Sequence, residues 1–325
     1  MCNHRRVRDE EMAPTPGAAG LRLMHVHAHP DDESSKGAAT MAYYVAQGAR
    51  VMVVTCTGGE LGDILNPAMN TPTNRLRLAQ LRRSEMAEAA RILGIEHEWL
   101  GFHDSGFQGV DDPALLAPDS FAAQDVDTAA GRLVRVIRSF RPHVVTTYDE
   151  GGGYPHPDHI MTHKVTIAAL DAAADPAQWP DDGSAWVVPK LYYDMTLNGA
   201  RFAALDAAMR ERGLASWAEA LPPRRLDEKG ARVTTRIRCG QYFETRNRAL
   251  RAHRTQIDPN DAFFFGVPLD VQQASWPTED FQLVRSLVPI TLPETDLFAG
   301  LRGGGSDVDW KPDSVPHKPS STSMP

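Results

Sequence analysis

Cysteine is scarce in this chain: Cys2, Cys56 and Cys239 are the only three in 325 residues. They are too few and too widely spaced for a disulfide scaffold or a CxxC zinc site, and a reducing, cytoplasmic setting is expected. No run approaches the roughly 20 apolar residues that cross a bilayer, and the mean hydropathy is −0.36, so no membrane partner is expected. Basic charge is in deficit, with 34 Lys and Arg against 42 Asp and Glu and a net charge of −8. Nucleic-acid binding draws on a clustered basic surface, so that partner is not expected either. A GxGxxG nucleotide fingerprint is missing as well. Residues 1–20 lack the apolar core of about 7 to 15 residues that marks a secretory leader. They read as a disordered tail, as does the Gly-, Ser- and Pro-rich stretch 303–325.

What is present alternates between strand and helix signals. With 42% hydrophobic and 23% charged residues the chain can bury a sizeable core. LRLMHVHAH from Leu21 is an apolar run that breaks into a polar turn at His29-Pro30-Asp31-Asp32, which predicts a buried strand. Residues 36–48 read as a helix, and RVMVVTCT from Arg50 is a β-branched run suited to the middle of a parallel sheet. A helix is predicted from Asn74 to Gly94, with Leu78, Leu81, Ala89 and Ile92 or Leu93 near one face, followed by the short strand EHEWL. Val126, Ala130, Leu133, Ile137 and Phe140 then step by 4, 3, 4 and 3, and Pro142 ends that helix before the strand HVVTTY.

This alternation predicts an α/β fold, a Rossmann-like and mostly parallel sheet with helices on both faces. Residues 21–185 are assigned to that core and 186–302 to a C-terminal α+β extension packed on it. The extension reads as a strand in WVVPKLYYDM, a helix near Arg201–Arg212, a strand near Arg232–Cys239 and a helix near Gln241–His253. Segments 171–183 and 214–230 carry no clear motif. Ligands of such sheets bind beyond the C-terminal strand ends, so the loops after the first and fourth strands should meet at one mouth.

Those two loops hold the densest polar chemistry. His29-Pro30-Asp31-Asp32-Glu33 sets an imidazole and three carboxylates in five positions, a crowding that a divalent cation relieves. His29 and Asp32, three apart across a Pro-stiffened turn, face one point while Asp31 faces elsewhere. After Asp149-Glu150-Gly151-Gly152-Gly153, the second loop supplies Tyr154, His156, Asp158 and His159. One more ligand from it completes two His and one Asp with a position left for water, the arrangement of catalytic zinc. Each string alone has a plainer reading, with the Asp residues of HPDD capping a helix and Asp158 as N-cap of a helix running to Ala174. His163, one turn past His159, reads as a supporting or surface histidine.

HAHPDDE at His27–Glu33, VTCTGGE at Val54–Glu60 and GYPHPDH at Gly153–His159 resemble the LmbE-like (PIG-L) zinc deacetylases, which hydrolyse amides on amino sugars. The similarity spans about residues 21–302. SSKGAAT at Ser34–Thr40, YPHPDHIMTH from Tyr154, and the stretches WPTEDFQLVRS and LPETDLFAGL look closer to a branch that acts on S-conjugates of mycothiol. The resemblance implies His29, Asp32 and His159 as ligands of one Zn2+ per chain, with Fe2+ also accepted. It implies Asp31 as general base, and Tyr154 with a protonated His156 as stabilisers of the tetrahedral oxyanion. Asp158 would orient His156 through its ring N–H. Glu60, Arg82 and Asp104 would bind the sugar, although Arg82 could equally pair with Glu85 on its own helix. Lys36, where the deacetylase branch carries a small polar residue, would reach the acylcysteine part of the conjugate.

The activity so implied is zinc-dependent cleavage of the amide joining cysteinyl carbonyl to glucosamine nitrogen in a glycosidic thiol conjugate. The products are a mercapturic acid and glucosaminyl-inositol, and the cellular role is clearance of alkylated thiols. The alternatives are deacetylation of N-acetylglucosaminyl-inositol, a non-catalytic Rossmann-like sugar-binding protein, and a two-metal phosphoesterase, which needs more ligands than these loops supply. Oligomeric state is not legible in the sequence.

Overall fold

The computed structural model describes residues 17–107, 116–220 and 232–302. The two expected tails, apart from residues 17–20, and most of the segment 214–230 lie outside the described residues. Within residues 17–20, Ala18 is buried and its N–H donates to the Gln47 carbonyl at 2.8 Å, so packing begins before Leu21.

The chain runs through β1 (Arg22–His27), α1 (Asp32–Ser35), α2 (Ala38–Ala46), β2 (Arg50–Thr57), α3 (Pro72–Leu76), α4 (Leu78–Leu93), β3 (Glu96–Phe102), α5 (Val126–Phe140) and β4 (Val144–Thr147). It continues through α6 (Pro157–Ala174), β5 (Lys190–Asp194), α7 (Gly199–Glu211), β6 (Thr235–Arg238), α8 (Phe243–Ala252), α9 (Ala262–Phe265), α10 (Leu269–Ser275) and β7 (Thr278–Ser286). Among the described residues seven strands form one sheet in the order β3-β2-β1-β4-β5-β7-β6. β3 to β5 are parallel, and β7 runs antiparallel to both β5 and β6. The mixed α/β fold is therefore the Rossmann-like one expected, and residues beyond 186 add three strands to the same sheet.

Local chemistry explains the helix ends. Asp125 caps α5 by accepting from the Thr128 N–H at 2.9 Å, and Arg141 closes it at φ 55° ahead of Pro142. The 4-3-4-3 face of α5 buries Leu133 and Ile137 completely, and truncating either to Ala costs about 2–5 kcal/mol. The helix expected from Asn74 to Gly94 is instead two helices. Thr71 and Pro72 start α3, and the backbone leaves helical geometry at Arg77 before α4 begins.

Two apolar layers cover the sheet. Met24, Val26 and Val145 pack with α5 and α6 on one face, and Leu23, Val53 and Tyr192 pack with Met41 and Phe243 on the other. Strand order reverses between β1, which continues to β2, and its other neighbour β4. A crevice opens at the C-terminal ends of strands at such a reversal, and the two polar loops leave from there.

Candidate metal centre

The turn after β1 separates adjacent carboxylates by backbone geometry. Asp31 adopts φ 106°, uncommon for a residue with a side chain and a form of strain found at functional sites. Asp32 turns inward, where its Oδ2 accepts from the His29 N–H at 3.0 Å and the Tyr148 hydroxyl at 2.7 Å. Its Oδ1 accepts from Lys36 Nζ at 2.6 Å. Burial opposes its ionisation, but Lys36 and His159 hold the Asp32 carboxyl well below its ordinary pKa.

The loop after β4 brings the second imidazole to this point. His159 Nδ1 donates to the Gly152 carbonyl at 2.9 Å, leaving Nε2 buried without a hydrogen-bond partner and 3.4 Å from Asp32 Oδ2. Gly152, at φ 72°, permits this close approach, because a Cβ there would stand 2.7 Å from the His159 Cβ. His29 is arranged in the same way. Its Nε2 meets Asp158 Oδ2 at 3.2 Å and Asp104 Oδ1 at 3.7 Å, while Nδ1 faces Asp32 Oδ2 at 3.6 Å. One ligand atom each from His29, Asp32 and His159 lie within 4.8 Å of one another. Two imidazole nitrogens, each with its other nitrogen fixed by an oxygen, and one carboxylate suit zinc, iron(II) or cobalt(II).

His29, His156 and Asp158 also converge within 4.8 Å. The Asp158 carboxylate is already occupied, however, accepting from the Ser105 N–H at 3.0 Å and from the Ser105 hydroxyl besides His29. Its placement is that of a carboxylate orienting a metal-binding histidine.

The expected roles around this centre need several corrections. Asp158 neither caps α6 nor holds His156 through its carboxylate. The cap is His156, whose Nδ1 accepts the Asp158 N–H at 3.2 Å. His156 is consequently a neutral ring with its proton on Nε2, and burial pushes its pKa down to about 3. Arg82 does not pair with Glu85. It is buried, donating to the Gly59 carbonyl at 2.7 Å, the Pro30 carbonyl at 2.6 Å and Asp31 Oδ2 at 3.3 Å, while Glu85 accepts from Thr255 on the far side. Arg82 therefore ties the Asp31 turn to the loop after β2. Lys36, expected at the acylcysteine part of the conjugate, lines the cavity but is buried, with its ammonium bonded to Asp32 and Ser35.

Asp104 accepts from the Leu61 and Gly106 N–H groups, and Glu60 accepts from the Asp104 N–H at 3.1 Å, so both brace the rim of the mouth. Tyr154 stands at that rim, 39% exposed, with its ring edge-on to Phe107. A cavity beside the centre is lined by Asp31, Lys36, Tyr154, Gln256 and Phe264. His163 bonds the Tyr148 carbonyl at 3.1 Å and packs on Tyr193, away from the ligands.

Three participants went unread in the sequence. Tyr148 bridges Asp32 and the Ala28 N–H, Ser105 anchors Asp158, and His253 Nε2 meets the buried Glu33 carboxylate at 2.7 Å. Tyr148 ends the HVVTTY strand signal and was visible there; Ser105 lies in the loop after β3 and His253 at the C-terminal end of α8, and neither position carried a signal for its partner.

The profile of the GlcNAc-PI de-N-acetylase (PIG-L) family matches residues 24–170. A mycothiol S-conjugate amidase of Streptomyces coelicolor is 53% identical over 87% of this chain and 98% of its own length. A 1D-myo-inositol 2-acetamido-2-deoxy-alpha-D-glucopyranoside deacetylase of Catenulispora acidiphila is 39% identical over 89% of this chain and 92% of its own. Among solved structures, the N,N'-diacetylchitobiose deacetylase of Pyrococcus horikoshii shares the fold at a TM-score of 0.56 and 18% identity, covering 81% of this chain and 84% of that one. Fold, site and relatives together define a hydrolase acting on amides. The chain belongs to the PIG-L, or LmbE-like, family.

Proposed function

We propose that this chain is a zinc-dependent amidase of mycothiol S-conjugates, cleaving the bond between the cysteinyl carbonyl and the glucosamine nitrogen. The observation that carries the reading is the 53% identity to a mycothiol S-conjugate amidase along 98% of that protein, against 39% and 41% for the inositol-glucosaminide deacetylases of C. acidiphila and Streptomyces griseus. The substrate is a small glycosidic thiol conjugate and the role is removal of alkylated thiols. A cytoplasmic location accords with the free, buried thiols of Cys56 and Cys239.

His29, Asp32 and His159 would hold one zinc ion, which supplies Lewis-acid polarisation of the carbonyl and a lowered pKa for the attacking water. Asp31, a quarter exposed and steered by Arg82, takes a proton from that water. Burial raises its pKa, which suits it to return the proton to the departing amine. His156 donates from Nε2 to the carbonyl oxygen as charge grows there, and the Tyr154 hydroxyl does so from the rim. Of the three ammonium N–H groups on Lys36, Asp32 and Ser35 take two; Lys36 also lines the cavity, where the third would serve the acyl part of the conjugate. Glu60 and Asp104 shape the sugar side.

Amine release from a mycothiol bimane conjugate, run beside N-acetylglucosaminyl-inositol with zinc-loaded protein, tests the reading. Preference for the conjugate, abolished in Asp31→Ala, is expected. Preference for the N-acetyl substrate would move the chain to the deacetylase role, the second reading that the 39% relative supports. Release from neither by zinc-loaded protein would reject both.

A further inference from the structure

Behind the catalytic centre lies a second set of metal-ligating side chains that the chemistry above leaves unused. His25 and His27 alternate on one face of β1. β4 pairs His25 with Thr146, β5 pairs Thr146 with Tyr192, and Asp194 follows two residues later, on the face shared with both histidines. One ligand atom from each of His25, His27 and Asp194 lies within 4.8 Å of the others. The two histidines are 0% exposed and Asp194 is 6% exposed.

Of the six ring nitrogens and carboxylate oxygens in this group, one has a hydrogen-bond partner among the described residues. His25 Nδ1 is engaged by Thr146 Oγ1 at 2.6 Å. His25 Nε2, both nitrogens of His27 and both oxygens of Asp194 have no hydrogen-bond partner among the described residues. More than nine in ten buried polar groups are paired in native proteins, so five orphans gathered at one point call for a common partner. Lys36, the cation nearest at hand, bonds Asp32 at 2.6 Å and reaches Asp194 only through its field, with no hydrogen bond to it. Tyr148 stands between the two centres, edge-on to His27 with ring centroids 5.5 Å apart and stacked on His159 at 4.3 Å. Gly37 closes the cluster from above, and a Cβ there would stand 3.0 Å from His25 Cε1.

We propose that His25, His27 and Asp194 bind a second divalent transition-metal ion, separate from the His29, Asp32 and His159 centre. Two imidazoles and a carboxylate favour zinc, cobalt(II) or iron(II) over calcium and magnesium, which take oxygen ligands. The ion cross-links β1 to β5 across β4 and compensates the buried Asp194 charge. The inference is independent of which amide the enzyme cleaves.

Metal content and position test it together. Protein expressed in zinc-supplemented medium should carry two zinc ions per chain by elemental mass spectrometry, with anomalous peaks at both centres in crystals. Asp194→Asn and His25→Ala should each retain one ion, at the first centre, and His29→Ala should retain one at the second. A wild-type chain with a single ion that His29→Ala removes and Asp194→Asn leaves in place overturns the proposal. The wild-type anomalous map decides the matter even where a variant does not fold: a peak among His25, His27 and Asp194 supports the site, and density at the first centre alone rejects it.

Discussion

Asp158 Oδ2 stands 3.2 Å from His29 Nε2, and this contact decides which nitrogen of His29 faces the metal position. Burial opposes charge on the ring, but Asp104, Asp158 and Asp32 hold the His29 pKa well above its ordinary value. The metal-free ring is thus doubly protonated near neutrality, and the Nδ1 proton leaves when the ion binds. Affinity should rise with pH as that proton becomes easier to lose. Asp158→Asn should weaken zinc binding about 10–100-fold and reduce proton release at pH 7. Titration calorimetry in buffers of different ionisation enthalpy measures both, and unchanged affinity would remove Asp158 from this role.

In the proposed mechanism Arg82 positions Asp31 rather than binding the sugar. Its guanidinium fork spans the Gly59 and Pro30 carbonyls and reaches Asp31, a geometry that a Lys point charge does not reproduce. Arg82→Lys should lower kcat by about 100-fold, the scale of a small misplacement of a reacting group, with KM little changed. Gly59→Ala should act alike, because its Cβ would stand 2.0 Å from an Arg82 terminal nitrogen at a φ of 64°. A rise in KM with kcat preserved would restore Arg82 to substrate binding.

The two roles proposed for Lys36 can be separated by a pair of substrates. Lys36→Ser removes the 2.6 Å contact to Asp32, so turnover of both the conjugate and the N-acetyl substrate should fall. The conjugate should fall further, by about 10- to 150-fold, if one charge-assisted hydrogen bond of about 1.5–3 kcal/mol is lost from its acyl part. An equal fall in both would confine Lys36 to holding Asp32.

Glu33 and His253, both 0% exposed in their side chains, form an ion pair that braces the first loop from α8's C-terminal end. Burial works against each charge, yet His253 draws the Glu33 pKa down to about 2 and Glu33 raises that of His253. Glu33 contributes stability above its ordinary value of 4.5 and loses it as pH falls through about 2. His253 contributes fully below its ordinary 6.5 and loses it as pH rises through its higher folded value. His253→Leu leaves Glu33 buried and unpaired and should cost about 3–5 kcal/mol. Denaturant melts should show the deficit greatest between pH 4.5 and 6.5 and shrinking above, and a deficit that grows toward alkaline pH would contradict the pairing.

The parallel half of the sheet was legible because β1, β2 and β4 are nearly continuous apolar runs. β7 was not, since Thr278–Ser286 mixes Glu, Asp and Arg with Phe281 and Leu283 and is only partly buried. Nothing in residue type marks the break at Arg77. At the site, neighbours within a loop could be read from spacing: His29 and Asp32 do converge, and His159 joins them. Contacts between distant segments could not, which hid Ser105 from Asp158 and His253 from Glu33. The resemblance implies Asp158 as the partner of the His156 ring, but the first turn of α6 presents its N–H there and sends its carboxylate to His29. The same limit applies to Asp194, which meets the His-x-His of β1 only through the topology of β4 and β5.

The sheet order has a consequence for synthesis. His29, Asp32 and His159 have all left the ribosome once the last of them has emerged, yet β4 remains a bare edge until β5 arrives, and β5 until β7 pairs with it as far as Ser286. Roughly 130 residues separate those points, on the order of ten seconds of translation. For that interval the nascent protein holds its reactive groups on an open-edged intermediate that invites wrong strand pairing. Chaperone dependence should therefore track the C-terminal third of the chain, which completes the sheet only after His29, Asp32 and His159 are made.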